Sequence, residues 1–340
     1  MEPTRNKRRQ FWLGMLLSVA CLVAIFFFIR PADIANAIRT AQYGYLGLTV
    51  VGILLFMVFR AVRWRFMLNN QVSWRQVFHI QNIGYMLTMI LPFRIGDVAR
   101  AVLIGNVPPV TLAGGVSTMV VERVLDLLFI VTLLPFTLAG SRRLPEWMQE
   151  TALASGIVAL AAIVVLIIAA NQRPLAGRVA TRLLNLVSFL NTERWLRRLD
   201  GLLAGLSSLT RLRHGLVLIG LSLLVWLPIL LAYHAGLLAV NLEPSPAMTG
   251  FVMCAAAFSV AAPSSPGQVG VFHAGVIAAL QFLGQPQAES ASFAFLYHAI
   301  NTVTMIGLGL VGLASTGATF GHVVASAQRF MRRETVSSEQ

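Results

Sequence analysis

Apolar residues run almost unbroken through six stretches of this chain, 11–29, 43–62, 113–139, 151–170, 215–240 and 290–316, each long enough to cross a bilayer as a helix. Two further apolar segments, 76–105 and 247–283, break near their middles. One break reads Pro92-Phe93-Arg94-Ile95-Gly96-Asp97-Val98 and the other Pro263-Ser264-Ser265-Pro266-Gly267-Gln268-Val269, so that Pro, Gly, a polar residue and Val recur at identical spacing. A Pro and a Gly four residues apart stop a helix, and backbone groups freed at membrane depth are tolerated only inside protein or beside water. The pattern therefore predicts an all-α polytopic membrane protein with about six full transmembrane helices and two re-entrant helical hairpins. The alternative at each break is a complete pair of spans joined by a very short turn.

Composition agrees with the membrane assignment: 57% of residues are hydrophobic, 11% are charged and the mean hydropathy is +0.75. Residues Arg5 to Arg9, the apolar run that follows them and Ala35-Asn36-Ala37 imitate a signal peptide with its cleavage site. The run from Phe11 to Ile29 is too long for a signal sequence, whose apolar region spans about 7–15 residues, and reads as the first helix. Cys21 and Cys254 lack the spacing of a disulfide framework, a zinc site or a redox motif and read as packing residues.

The net charge of +13 is nearly all arginine, and its distribution sets an orientation. With the amino terminus in the cytoplasm, that side receives Arg5, Lys7, Arg8 and Arg9, then Arg60, Arg63, Arg65 and Arg75, the arginines from Arg173 to Arg213, and Arg329, Arg332 and Arg333. The opposite side receives only Arg30, Arg39, Arg142 and Arg143. Both termini are thus expected in the cytoplasm. The order of two helices, a broken hairpin and one helix occurs twice, over 1–140 and 151–316, within one integral membrane domain. Three full spans per half turn the second half upside down, so the Pro92 hairpin enters from the cytoplasm and the Pro263 hairpin from the other face. Residues 171–214 join the halves as a basic amphipathic surface helix, with Trp195, Leu199, Leu202, Leu206 and Leu209 at three- and four-residue steps. Residues 317–340 read as a cytoplasmic tail.

The chemistry sits in charges that an apolar segment ordinarily excludes. The first hairpin carries Arg94, Asp97 and Arg100, and the next span carries Glu122, Arg123 and Asp126. At about 3 kcal/mol each in a helix centre, these six would cost roughly 18 kcal/mol against lipid, so they must face protein, water or one another. The three-residue steps set Asp97 between two guanidiniums, and Glu122 and Asp126 share a face. Guanidinium forks bind phosphate bidentately, and the helix start at Gly96 presents free N–H groups to an anion. A phosphate or phospholipid head group fits Arg94, Gly96, Asp97 and Arg100, while Glu122, Arg123 and Asp126 are either part of that site or an ion network holding the hairpin. The second hairpin offers Ser264, Ser265, Gly267, Gln268, Gly270 and His273, a set of hydroxyls, an amide and bare backbone suited to close approach. His273 sits in a range where it can take a proton or a phosphate, or be simply hydrogen-bonded. His298 and Asn301 share a face of the last span. Arg60, Arg63, Trp64 and Arg65 read as an interfacial anchor.

Four motifs in order, Arg60-Ala-Val-Arg63-Trp64, Leu91-Pro92-Phe-Arg94-Ile-Gly96-Asp97-Val-Ala-Arg100, Glu122-Arg123-Val-Leu-Asp126 and Pro263-Ser-Ser-Pro266-Gly267-Gln-Val-Gly270-Val-Phe272, resemble the flippase-like family related to the transmembrane region of lysylphosphatidylglycerol synthase. The resemblance covers nearly the whole chain. It implies movement of a lipid or lipid-linked head group between leaflets of a prokaryotic inner membrane; members are associated with aminoacylated phosphatidylglycerol, polyprenyl-linked intermediates and hopanoids. It also implies that the namesake's aminoacyl transfer belongs to a separate soluble domain, which this chain is expected to lack. Where the family commonly has a glutamate after Gly-Val-Phe, this chain has His273.

The expected function is a lipid flippase or translocator of the bacterial inner membrane, with no cofactor, no nucleic-acid partner and no enzymatic step. No G-x-x-x-x-G-K-[ST] loop occurs, so the drive would be a gradient, the membrane potential or lipid consumption. Two other readings stand beside it: an integral-membrane transferase using Asp97, Glu122 or Asp126 on a phosphorylated lipid, and a non-catalytic subunit of an envelope complex. A homo-oligomer and partners in envelope lipid biosynthesis are both compatible with the sequence.

Overall fold

The computed structural model describes residues 3–91, 95–140, 146–171, 178, 181, 212–261 and 265–337, and every element among them is helical. In chain order these are α1 (Pro3–Phe28), α2 (Pro31–Arg39), α3 (Tyr43–Met67), α4 (Trp74–Ile90), α5 (Ile95–Gly105), α6 (Leu112–Ala139), α7 (Glu146–Asn171), α8 (Leu212–Ala239), α9 (Pro246–Ala261), a 3₁₀ turn (Pro266–Gln268), α10 (Val271–Phe282), α11 (Gln287–Thr316) and α12 (Phe320–Ser337). Helices α1, α3, α6, α7, α8 and α11 fall on the six apolar stretches, each with 25 to 30 residues. Among the described residues α3, the part of α8 from His214 and α11 are long and apolar enough by length and composition to cross a membrane. The segments Trp12–Phe28 and Pro31–Arg39 qualify together, bent by 81°. Helix α6 falls short because Glu122, Arg123 and Asp126 interrupt its middle.

Local chemistry explains the boundaries. Ser73 Oγ accepts the Gln76 N–H at 3.3 Å to start α4, and Thr111 Oγ1 accepts the Gly114 N–H at 3.1 Å to start α6. Helix α2 was not foreseen; it contains Ala35-Asn36-Ala37. Pro31 opens it, Asp33 lies in its first turn and Arg39 in its last, an arrangement that suits a helix dipole. Residues 92–94 and 262–264, with Pro92, Arg94, Pro263 and Ser264, lie outside the described residues, as does nearly all of the 171–214 linker.

Helices α3 and α8 form the central pair and run antiparallel. The Gln42 N–H donates to the Ala239 carbonyl at 2.7 Å, Thr49 Oγ1 donates to the Ala232 carbonyl at 3.3 Å, and Arg63 Nη1 donates to Ser222 Oγ at 3.3 Å, so contacts descend one helix as they climb the other. Around this pair the packing is reciprocal. Helix α4 of the first broken segment lies on α11, and α9 of the second lies on α6. Within each broken segment the two short helices pack on each other, α4 on α5 and α9 on α10. The main core of Ile53, Met57, Val225, Val252, Val276 and Leu280 joins α3, α8, α9 and α10. Helix α12 is more than a tail: Val323 and Ala327 are buried with Ile83, Leu87, Ile95 and Ala99, which docks it on the first broken segment.

Candidate functional site

Arg60, Arg63 and Trp64 occupy positions i, i+3 and i+4 of α3 and therefore one face. Glu122 and Asp126 occupy i and i+4 of α6, facing them. Arg100 reaches the same place from α5 and Tyr85 from α4. The result is a buried ion cluster in which no charged side chain exposes more than 10% of its surface. Glu122 Oε1 pairs with Arg60, Glu122 Oε2 accepts from Arg100 Nη2 at 2.8 Å, Asp126 Oδ2 accepts from Arg60 Nη2 at 2.8 Å, and Asp126 Oδ1 accepts from Arg63 Nη2 at 2.7 Å. Tyr85 donates to Glu122 Oε1 at 3.4 Å. Arg100 lies over the Trp64 ring, 4.3 Å from its centroid, and Trp64 Nε1 donates to Thr118 Oγ1 at 3.0 Å. Such a desolvated cation over an indole contributes about 2 kcal/mol.

Arg60 and Arg63 are thus not interfacial anchors. An arginine near a helix end serves equally well as an anchor or an ion-pair partner, and the carboxylates on α6 decide the matter. Asp97 also departs from expectation: it does not sit between two guanidiniums but accepts from Arg123 Nη2 through both oxygens, at 2.8 and 2.9 Å. That pair stands at the edge, with the Arg123 side chain 45% exposed. Arg100, expected beside Asp97, pairs with Glu122 instead.

The buried cluster does not balance. Among the described residues three guanidiniums face two carboxylates, and the Nε groups of Arg60, Arg63 and Arg100 are buried without a hydrogen-bond partner. Gly96 contributes spacing: a Cβ there would collide with the Gly84 carbonyl and with Thr88, and one on Gly84 would collide with the Arg100 side chain. Bare backbone at the α4–α5 crossing is what admits the Arg100 stem.

The second broken segment is uncharged. Gly267 and Gly270 take φ values of +67° and +87°, and a Cβ on Gly270 would strike the Ser18 carbonyl of α1. Ser18 Oγ accepts the Ser265 N–H at 3.0 Å, and Ser265 Oγ donates to the Val269 carbonyl at 3.2 Å. His273 Nδ1 accepts the Gly270 N–H at 3.2 Å, so its ring is engaged in starting α10. His298 Nε2 donates to the Gly267 carbonyl at 2.7 Å, and the 3₁₀ turn rests against Met89 at the end of α4. The two broken segments therefore meet. Gln268 holds φ +61°, a left-handed conformation that costs a non-glycine residue about 1–2 kcal/mol. It lines a cavity of about 160 Å³ with Trp226, Tyr233, Tyr297, His298 and Asn301. The structure thus brings Arg100, Glu122 and Asp126 together, keeps Asp97 and Arg123 as a separate pair, and sets Gln268 with His298 and Asn301. Sequence reasoning missed Arg60, Arg63, Tyr85 and Trp226. The signal for the arginines was their i, i+3 spacing opposite two carboxylates at i, i+4; none pointed to Tyr85 or Trp226.

The profile of the lysylphosphatidylglycerol synthase TM region matches residues 11–309. The chain belongs to this family. It is 21% identical over 321 residues, 90% of this chain and 95% of the relative, to a UPF0104 membrane protein of Methanothermobacter thermautotrophicus. It is also 24% identical over 149 residues to glycosyltransferase AglD of Haloferax volcanii, a match to 41% of this chain and 23% of that protein. No solved structure matches the chain. Membership in this membrane family and the apolar helices together make it a membrane protein with a lipid-related role.

Proposed function

We propose that the chain translocates a lipid with an anionic or lipid-linked head group between the leaflets of the bacterial inner membrane. The observation that carries this reading is the imbalance of the buried cluster among the described residues, three guanidiniums on two carboxylates with three unpartnered Nε donors. An uncompensated buried charge costs several kcal/mol. An anionic head group entering beside the cluster offsets that cost, whereas a tail left in the lipid gains nothing by moving. In this reading Arg100 and the Gly96 helix start face the head group, and Glu122 and Asp126 hold the guanidiniums in place. Asp97 and Arg123 tie α5 to α6. The meeting of two broken helix pairs suits alternating access, with the pairs re-entrant from opposite faces and both termini cytoplasmic. The antiparallel α3–α8 pair supports such an inverted repeat.

Purified chain in liposomes with fluorescent phosphatidylglycerol tests it. Protein-dependent movement of unaltered lipid, lost in Arg100→Ala, is expected. No movement above protein-free vesicles overturns the reading. A covalently changed lipid would instead favour a membrane transferase, the reading to which the likeness to a glycosyltransferase lends support. Against that alternative, Glu122, Asp126 and Asp97 are all held by guanidiniums, which lowers their availability as bases.

A further inference from the structure

Three helices end around one cavity: α4 begins there, and α5 and α11 finish there. It measures about 740 Å³, within the range of about 300–1,000 Å³ usual for small-molecule sites. The first turns of α4 supply Gln76 and His79, the end of α5 supplies Leu103 with Val107 just past it, and the end of α11 supplies Ser315. A Cβ on Gly312 would lie 2.9 Å from the His79 carbonyl oxygen, so α11 is pressed against α4 beside the cavity. Trp74 and Phe78, one helical turn apart, stack with ring centroids 4.9 Å apart and add an aromatic surface to it. Trp74 is 36% exposed and stands next to Arg75 at a helix end, the pairing usual at a membrane–water interface.

The polar side of the cavity is cationic. Arg75 lines it and makes no ion pair among the described residues, and no carboxylate is among the lining residues. Unlike the arginines of the ion cluster, Arg75 is exposed, so its guanidinium is open to a ligand. Gln76 Oε1 accepts from Ser73 Oγ at 2.8 Å, which leaves the Gln76 NH₂ group as a second donor. The start of α4 is not itself the attraction, because Ser73 Oγ already accepts the Gln76 N–H. A free phosphate would meet the two donors and leave Trp74, Phe78, Leu103 and Val107 wet. A neutral lipid would cover those walls and leave the guanidinium unanswered. An amphiphile with an anionic phosphate next to its acyl chains does both.

We propose that this cavity holds an anionic phospholipid of the adjoining leaflet, its phosphate at Arg75 and Gln76 and the first part of its chains against Phe78, Leu103 and Val107. The bound lipid is a brace and not cargo. Ala318, in the connection to α12, lines the cavity, and Leu103 and Ala318 both pack on the core that holds Val323 and Ala327, so the occupant ties α12 to the ends of α4, α5 and α11. The experiment is lipid titration of the purified full chain in detergent, read by native mass spectrometry and thermal melts. The probes are short-chain phosphatidylglycerol, diacylglycerol and inorganic phosphate.

Phosphatidylglycerol is expected to bind and to raise the melting temperature, with diacylglycerol binding more weakly. Arg75→Gln removes the charge at an exposed position and should weaken phosphatidylglycerol about fivefold, the weight of one basic residue at an anionic lipid, while leaving diacylglycerol unchanged. Ser315→Trp fills the cavity from an exposed position and should weaken both lipids. Unchanged phosphatidylglycerol binding in Arg75→Gln, or parental binding of both lipids by Ser315→Trp, overturns the proposal. Protection by inorganic phosphate alone overturns the lipid as occupant, and phosphatidylglycerol binding lost in Arg100→Ala but kept in Arg75→Gln assigns the lipid to the ion cluster instead. Because the readout is binding, a chain that moves no lipid in liposomes keeps this site and loses only the transport function.

Discussion

Arg63 is the residue on which the charge balance turns. Its guanidinium shares Asp126 with Arg60, so Arg63→Met would leave two guanidiniums on two carboxylates. Replacing a buried charge by an apolar side chain of similar volume is often neutral or stabilising when the remaining ions stay paired. The expected outcome is a melting temperature in detergent at or above the parent's, together with slower movement of anionic lipid; a fall in both would assign Arg63 to scaffold alone. Glu122→Gln should behave oppositely, because it strips a partner from Arg60 and Arg100 at once. A loss of about 3–5 kcal/mol, seen as poor yield and a depressed melting temperature, is expected. Asp97→Asn should cost no more than about 1 kcal/mol, since its partner Arg123 is half-exposed. These contrasts follow from burial, which the spacing of the charges does not reveal: Asp97 and Glu122 read alike in the chain.

At the scale of the element, the crossing of α4 and α5 depends on bare backbone. Gly96→Ala should push α5 off α4 and displace Arg100 from Glu122, an overpacking cost of about 1–3 kcal/mol visible in thermal melts. If the melting temperature and the lipid transport of this variant match the parent's, the crossing is looser than described. Periodicity and breakers located both broken segments because Pro and Gly act through the local backbone. They left α2 unnoticed, since nine residues with one buried position, Ile34, carry too little apolar signal. Docking of α12 was equally hidden: Val323 and Ala327 are ordinary residues of a basic segment until α4 and α5 supply a surface for them.

Over the whole molecule, the arginine distribution and the reciprocal packing bear on one arrangement. If the first broken segment is re-entrant, Arg75→Cys and Asn106→Cys, placed at its two ends in a background without Cys21 and Cys254, should both react with a membrane-impermeant maleimide from the cytoplasmic side. Reaction from opposite sides would mean that 76–105 spans the membrane, and the inverted repeat would fail. Arg60 and Arg63, counted by sequence with the cytoplasmic basic residues, are buried in the ion cluster, so they contribute nothing to topology. The arginine count that argues for cytoplasmic termini keeps its excess without them.

What the sequence determined by itself is whatever acts along the chain. Uninterrupted apolar runs located the six long helices, paired Pro-Gly breaks located the two interrupted segments, and charges within apolar segments marked the region where a buried ion cluster forms. Each of these signals is local, because a hydrogen-bonded helix satisfies its own backbone and a proline removes a donor wherever it stands. The tertiary structure alone decided who pairs with whom. It drew Arg60 and Arg63 from α3 into the cluster, gave Arg123 rather than an arginine of its own helix to Asp97, and set Trp226 beside Gln268 at the turn. Pairing between helices depends on which faces the fold buries together, and residues 60 and 122 or 226 and 268 are linked by nothing in the intervening chain.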